Sequence, residues 1–559
     1  MNKFNLISVL ILTSQVLMAQ TTLVPSDRFY QSSLDRYRIL NGYNIEGYHS
    51  NFQPINRKMA VVLIDSLDSA LLQRQTDKIL IEYLRNDNWN LTESENESQR
   101  PVLKHFYKNK TDFYHIDQKE FMIRVNPVMH FSVGKELNSD LPLFINTRAI
   151  EVRGSIDNKV GFYSYLSENQ VRFPQYVNDY RQQFGVLPGE GFHKGFKENG
   201  YDFFNVRGYI DFSATKHINI QFGHDRFRIG QGIRSVLLSD NVPPYLFMKI
   251  QTNIWKFNYT NLFTQFVQEN KLVPAGLNGQ GKYPEKHMSL HHLSLNLGKK
   301  FNLGFFETIM YGANDGGTGT LEAKYLNPII FYRAVEHQNG SADNVQVGMD
   351  AEWLITKGVS LYGQFLLDEF LLEYLKDQSG WWGNKYGALV GLKYFNLLNI
   401  NQLDLTIEGS LVRPYAYSHY TLYGSYSHFQ QPLAHIRGSN FREAIVDLKY
   451  QPFSRFFIKS RLILGEYGSD ETTLTNWGGN ILKSYVTREQ EFDNKIGQGV
   501  NNKSTFFTLG TSYMLKQNLF FDARYIYRNV NSEDPTLTTK TSIFSASIRL
   551  NIAEREQEF

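Results

Sequence analysis

Residues Ser504 to Arg528 read STFFTLGTSYML, then KQN, then LFFDARYIYR. In the first arm Phe507, Leu509, Thr511, Tyr513 and Leu515 share one face, and Thr508, Gly510 and Ser512 share the other. In the second arm Phe521, Ala523, Tyr525 and Tyr527 oppose Asp522, Arg524 and Arg528. A period of two is the period of a strand, so the stretch is a hairpin. Each arm has one apolar face, one face of charges and small residues, and Tyr near its ends. Arms of this kind, about ten residues long, suit a membrane-spanning β-barrel.

The same unit recurs from residue 120 onward. Phe121, Ile123 and Val125 alternate with Met122, Arg124 and Asn126; Leu403, Leu405 and Ile407 alternate with Asp404, Thr406 and Glu408; Phe544, Ala546, Ile548 and Leu550 alternate with Ser545, Ser547 and Arg549. Charges at every second position are costly in a dry core and normal on a wet lumen. The connections alternate too. Tight ones fall at residues 157–158, 215–216, 299–300, 357–358, 399–402, 452–455 and 516–518. Long ones fall at 174–200, 229–245, 270–286, 313–344, 371–383, 414–440 and 468–502. Short periplasmic turns and long external loops are the outer-membrane pattern. Keeping all long loops on one side requires one further turn, near Ile254 to Phe257. The expected class is all-β: a transmembrane antiparallel β-barrel of about 18 strands. Its strands start near residues 120, 143, 159, 201, 217, 246, 257, 286, 301, 345, 359, 384, 402, 441, 455, 503, 518 and 541.

Composition agrees with a barrel and narrows the alternatives. The 559 residues include 34 Tyr and 41 Phe, yet mean hydropathy is only −0.38. Beyond the N-terminus the longest apolar run is Met59 to Ile64, far short of the roughly 20 residues of a membrane helix. Net charge is +3 without a basic block, which gives nucleic acid no footprint. There are no cysteines, so disulfides and thiol chemistry are excluded. Lys3, the apolar stretch Leu6 to Met18 and Ala19 read as a secretory signal over residues 1–19. Residues 20–118 do not alternate, and Asn56 to Ser66 and Ser69 to Asn86 are expected to be helical. This small N-terminal helical segment is either a periplasmic unit or a plug in the barrel mouth. The barrel then takes residues 119–559. Phe559 lies beyond the last strand and is an aromatic of the kind barrel-assembly signals favour.

Several stretches are long and specific: QGIRSVLLSDNVPPYLFMKI (231–250), IWKFNYTNLF (254–263), YLNPIIFYRAVEHQNGSADN (325–344) and LPGEGFHKGFKENGYDFF (187–204). They resemble the capsule assembly protein Wzi family, and within it the Bacteroidetes branch of gliding motility protein RemB-like barrels. The resemblance implies eighteen strands with N-terminal helices closing the periplasmic side. It also implies a non-enzymatic surface role: holding capsular polysaccharide, or supporting gliding by adhesion to polysaccharide. Outer-membrane lipid, surface polysaccharide and gliding or secretion machinery are the implied partners.

The residues themselves offer two candidate sets. Tyr415, Tyr417, Tyr420, Tyr423 and Tyr426 crowd one external loop, and Trp381, Trp382 and Trp477 lie in two others. Flat aromatic faces cover the C–H side of a sugar while phenol and indole groups serve its hydroxyls; the competing reading is an interface girdle or packing between loops. Asn327, Arg333 and Glu336 lie in a loop segment expected to be briefly helical and to fold inward as a lumen constriction. There they would line a pore constriction or bind a sugar; the competing reading is that they fix the loop through hydrogen bonds. No G-x-S-x-G, H-E-x-x-H or phosphate-cradling loop is present. His291 and His292 would project to opposite faces of a strand and so cannot chelate one ion. No catalytic residue, metal or cofactor is therefore assigned. A channel for a small solute is the second function class and a barrel hydrolase the third.

Overall fold

The computed structural model describes residues 22–25, 28–68, 71, 74–92, 97–99, 101–268, 283–312, 321–329, 331–339 and 342–559. The expected signal peptide lies outside the described residues. Among them, eighteen antiparallel strands close into one barrel, with Tyr114–Asp117 and Lys194–Phe196 as short appended strands. The eighteen begin at Phe121, Pro142, Val160, Gly200, Ile218, Tyr245, Phe257, Glu285, Phe301, Asn344, Val359, Lys385, Leu403, Phe441, Phe456, Val500, Leu519 and Thr539. Each start is within three residues of its expected position. Closure pairs the last strand with the first, from Ile543 opposite Glu136 to Leu550 opposite Met129. The inferred extra turn is Trp255-Lys256, closed by the pair Ile254 and Phe257. At the short turn after Ile156, Asp157 and Asn158 both take positive φ, 50° and 53°, the twist a tight hairpin needs.

Exposure runs opposite to that of a soluble sheet. On the hairpin Ser504 to Arg528, Leu509, Tyr513 and Phe521 are 44%, 45% and 47% exposed, while Thr508 and Asp522 are 4% and 3% exposed. Apolar side chains face outward and polar ones inward, so the outer wall is built for lipid. No described helix is long and apolar enough to cross a membrane.

The lumen is filled from both ends. Helices α1 (Arg28–Asn41), α2 (Arg57–Asp65) and α3 (Gln75–Asp87) sit at the short-turn end. There the Asn44 N–H donates to the Lys299 carbonyl, the Gly358 N–H to the Ile39 carbonyl, and the Tyr83 hydroxyl to Asn518 at 2.6 Å. Arg38 reaches the wall carboxylate of Glu352 at 2.7 Å with both side chains 3% exposed. Deeper still, Phe52 and Gln53 pair as a two-residue strand with Ile229 and Arg228. Those two residues open the long loop 226–244, which drops into the barrel rather than standing outside it. Its Phe227, Ile229, Val236, Leu237, Leu238 and Val242 are buried against inward-facing Leu262, Phe266, Met288, Leu290, Phe306 and Met310. Here the inner wall is apolar, so the expectation of a uniformly charged lumen fails in this sector: the folded-in loop, not water, covers it. From the long-loop end, helix α4 (Gln175–Phe184) packs Tyr176 and Val177 against inward-facing Ile445, Ile463, Phe506, Ile526 and Ile543. Finally, residues 551–559 turn back into the barrel. Phe559 lies 5.5 and 5.1 Å, ring to ring, from Tyr176 and Tyr180, so it faces the lumen and not lipid.

Candidate functional site

Above the obstructed lumen, three long loops converge. The loop 370–384, the loop 413–440 and the loop 470–499 are joined by backbone: the Trp382 N–H donates to the Glu491 carbonyl, Asp493 N–H to Ser379, Asn494 N–H to Gly380, and Tyr415 N–H to Gly478. Arg413 clamps the same junction. Its guanidinium donates to the carbonyls of Asn384, Trp381 and Asn494 at 3.1, 3.0 and 3.2 Å.

This junction carries a continuous aromatic cluster. Trp381 lies 4.9 Å from Tyr374 and 5.7 Å from Trp382; Trp382 lies 4.7 Å from Tyr485; Tyr485 lies 6.1 Å from Tyr420; Tyr374 lies 5.8 Å from Phe492. Both indole N–H groups donate to one carboxylate oxygen of Glu491, at 3.1 Å from Trp381 and 2.9 Å from Trp382. Glu491 is also paired with Arg488, whose guanidinium lies 4.4 Å over the Trp382 ring. Burial opposes ionisation of Glu491, but the donors on it keep its pKa below the usual carboxylate range. Tyr420 and Phe492 are exposed, Trp381 is half-exposed, and Trp382 is buried beneath them. A fixed charge, oriented indoles and outward aromatic faces form a platform for a ligand with one apolar and one hydroxylated side.

The structure divides the aromatic residues singled out from sequence. Trp381, Trp382 and Tyr420 meet in the cluster. Tyr415, Tyr417, Tyr423 and Tyr426 do not reach the surface as sugar-facing rings: they are 3% exposed or less. Tyr415 donates to the Asn476 carbonyl, Tyr417 to Val236 and Tyr423 to Ala342; Tyr426 stacks on Tyr417 at 5.9 Å. Packing between loops is what these four do. Trp477 stands apart, its indole donating to Glu471 at 2.6 Å. Sequence reasoning missed Tyr374, Tyr485, Arg488, Glu491 and Phe492. Tyr374 lies in the run FLLEYLK and Arg488, Glu491 and Phe492 lie in REQEF, and only the folded loops bring them together.

For Asn327, Arg333 and Glu336 the structure sets aside the constriction and keeps the loop-fixing reading. Helix α5 (Tyr332–Asn339) does not fold inward. It packs on the outer wall, where the Tyr332 hydroxyl meets His291 at 2.7 Å and the Arg333 N–H donates to Glu307 at 3.0 Å. The inward residue of the same strand, His292, bonds Asp350 at 2.7 Å instead. His291 and His292 thus face opposite sides. Polar Glu307 and His291 on an outer wall require cover, and α5 supplies it. Arg333 pairs with Glu336 at 3.3 Å, and Asn327 accepts from the Ile329 N–H at 3.1 Å. These residues fix the external segment and constrict no lumen.

Within the barrel a cavity of about 480 Å³ remains between the N-terminal helices, the inward loops and residues 551–557, lined by Arg153, Arg207, Asp404, Lys449, Lys459 and Glu556 among others. No group of three or more His, Asp or Glu suited to a metal ion occurs among the described residues.

Fold and site together define an outer-membrane-type β-barrel with an obstructed lumen and an aromatic platform on its loop face. The fold is similar to that of Wzi of Escherichia coli, described as an outer-membrane protein involved in group 1 capsule assembly and a carbohydrate-binding β-barrel: TM-score 0.59, 13% identity, 95% of this chain and 100% of that chain. OccAB2 of Acinetobacter baumannii (TM-score 0.42, 9% identity, 77% of this chain and 97% of that one) and OprD of Pseudomonas aeruginosa (0.41, 10%, 76% and 94%) are more distant. No protein-family model matches the chain, and no curated protein matches it.

Proposed function

We propose that this chain is a non-enzymatic surface protein of the bacterial outer membrane, exported by the signal at residues 1–19 and organised as a helical plug (20–118) and a barrel (119–559). It binds or anchors extracellular or capsular polysaccharide, in the manner of the Wzi family and its RemB-like branch, and so supports capsule assembly or gliding. The observation that carries the reading is the three-loop aromatic cluster around Glu491, set on a barrel whose lumen is obstructed. The barrel likeness to a carbohydrate-binding capsule protein adds support at the level of fold. Gliding or secretion machinery would be reached through the surface or the periplasmic mouth.

The test is retention of the cell's own surface polysaccharide by the purified, folded chain, with a deletion strain scored for capsule and surface spreading. Retention with loss of capsule or spreading is expected. No retention and an unchanged strain would remove the proposal. The second reading, a channel for a small solute, has the charged cavity in its favour. The helices, the loop 226–244 and residues 551–559 weigh against an open path.

A further inference from the structure

Residues 551–559 have no regular structure, yet their side chains are placed with a period of two. Glu554 pairs with Arg524 at 3.2 Å, Glu556 with Lys459 and with Arg461 at 3.1 Å, and Glu558 with Arg461. Arg555 turns the other way, to Glu190 at 3.1 Å. In an extended segment alternate carboxylates are roughly 6.6 Å apart; here Glu556 and Glu558 converge on Arg461, and Glu554 takes Arg524. The backbone is held as well: Arg234 donates to the Glu558 carbonyl at 2.6 Å, Arg528 to Phe559 at 3.0 Å, and Tyr176 to Gln557 at 2.9 Å. Arg461 is 3% exposed, and the wall carboxylate beside it is Asp447 at 2.7 Å. Lys459, Arg524 and Arg528 complete a strip of wall cations, with Asp447 beside Arg461 and Glu443 beside Arg234 as its wall carboxylates. That segment and the strip's Asp447, Lys459 and Arg461 all border the 480 Å³ cavity, a volume within the range of small-ligand sites.

We infer that this strip is a binding track for an extended polycarboxylate, such as a run of uronic-acid sugars, and that residues 554–558 occupy it as an internal substitute ligand. The geometry matches an incoming chain in three respects: alternate carboxylates, a backbone held by donors, and cavity space alongside. A competing polyanion would displace the segment, and the exchange is electrostatic, so salt weakens it. The track is independent of the aromatic platform. Failure of either leaves the other standing, because the two assays use different residues and different readouts.

The natural chain has no cysteine, so Gln557→Cys places a single reporter thiol on the segment in the full folded chain. Its rate of maleimide labelling is measured in detergent micelles with hexagalacturonate or with neutral maltohexaose. The expected result is a rate raised about tenfold by hexagalacturonate, suppressed by salt and unmoved by maltohexaose. An unchanged rate with hexagalacturonate, or an equal response to maltohexaose, overturns the inference. A second variant, Glu554→Gln with Glu556→Gln and Glu558→Gln, is expected to bind hexagalacturonate about tenfold more tightly than the natural chain by calorimetry. Equal affinity in a folded variant would also overturn it, and if that variant does not fold the thiol reporter still decides.

Discussion

Trp382 and Tyr417 are both large aromatics in outer loops, and their surroundings give them different work. Trp382 lies under Arg488 and against Tyr485, with its indole N–H fixed on Glu491. It acts as the floor on which Trp381 and Tyr420 are presented. Tyr417 donates to a carbonyl 181 residues away, at Val236, and is a pin between a surface loop and the lumen insert. Trp381→Ala removes an outward face without opening the floor. It is expected to weaken polysaccharide retention by about 2 kcal/mol, roughly 30-fold in Kd, with the melting temperature essentially unchanged; Tyr417→Phe is expected to leave retention alone. Titration on immobilised polysaccharide checks both. The residue types at this surface were legible in the sequence. Their exposure was not, because it is set by partners on other loops, 61 to 181 positions away.

The loop 413–440 shows what an element adds to its residues. It buries three histidines, and burial first of all lowers their pKa values: His419 and His428 to about 3, His435 to about 4. For His435 the nearby Glu443 pulls the other way without reversing the sign. The folded loop therefore holds neutral imidazoles, while the released loop takes up protons near 6.5, the ordinary value. Their contribution to loop closure is complete above about pH 6.5 and is progressively lost as pH falls toward 4 and 3. Hydrogen exchange over residues 413–440 is expected to be slow at pH 7.5 and, corrected for intrinsic rates, much faster at pH 4.5, with the strands unchanged. Elements were legible unevenly. Strands facing lipid outside and polar groups inside announce themselves by period two, as in 504–528. Strands near 262–310 announce themselves less clearly, because the loop 226–244 makes their inner face apolar too. Helix α1 was missed: Tyr30, Leu34 and Tyr37 form its buried stripe, but Arg36 and Arg38 are buried as well, against wall carboxylates Asp404 and Glu352. Only the wall makes that helix amphipathic.

At the scale of the whole molecule, the barrel surrounds an interior occupied largely by its own chain, with a cavity of about 480 Å³ left among the segments. N-terminal helices close one end, loops from the other end descend to meet them at Phe52 and Ile229, and residues 551–559 fill part of the space between. A molecule built this way is expected to give no steady conductance in planar bilayers; a stable open pore would favour the solute channel. The platform, the plug and the lumen track all depend on one placement, with lipid outside and protein inside. Single-cysteine substitutions from 507 to 515 and from 521 to 527, reconstituted in lipid and probed with a lipid-soluble and a water-soluble quencher, measure that placement directly. Positions 507, 509, 513, 515, 521, 525 and 527 should answer to the lipid quencher, and 508, 510, 512, 522 and 524 should not. Quenching without a two-residue period, or lipid access at the second set in place of the first, would contradict the account.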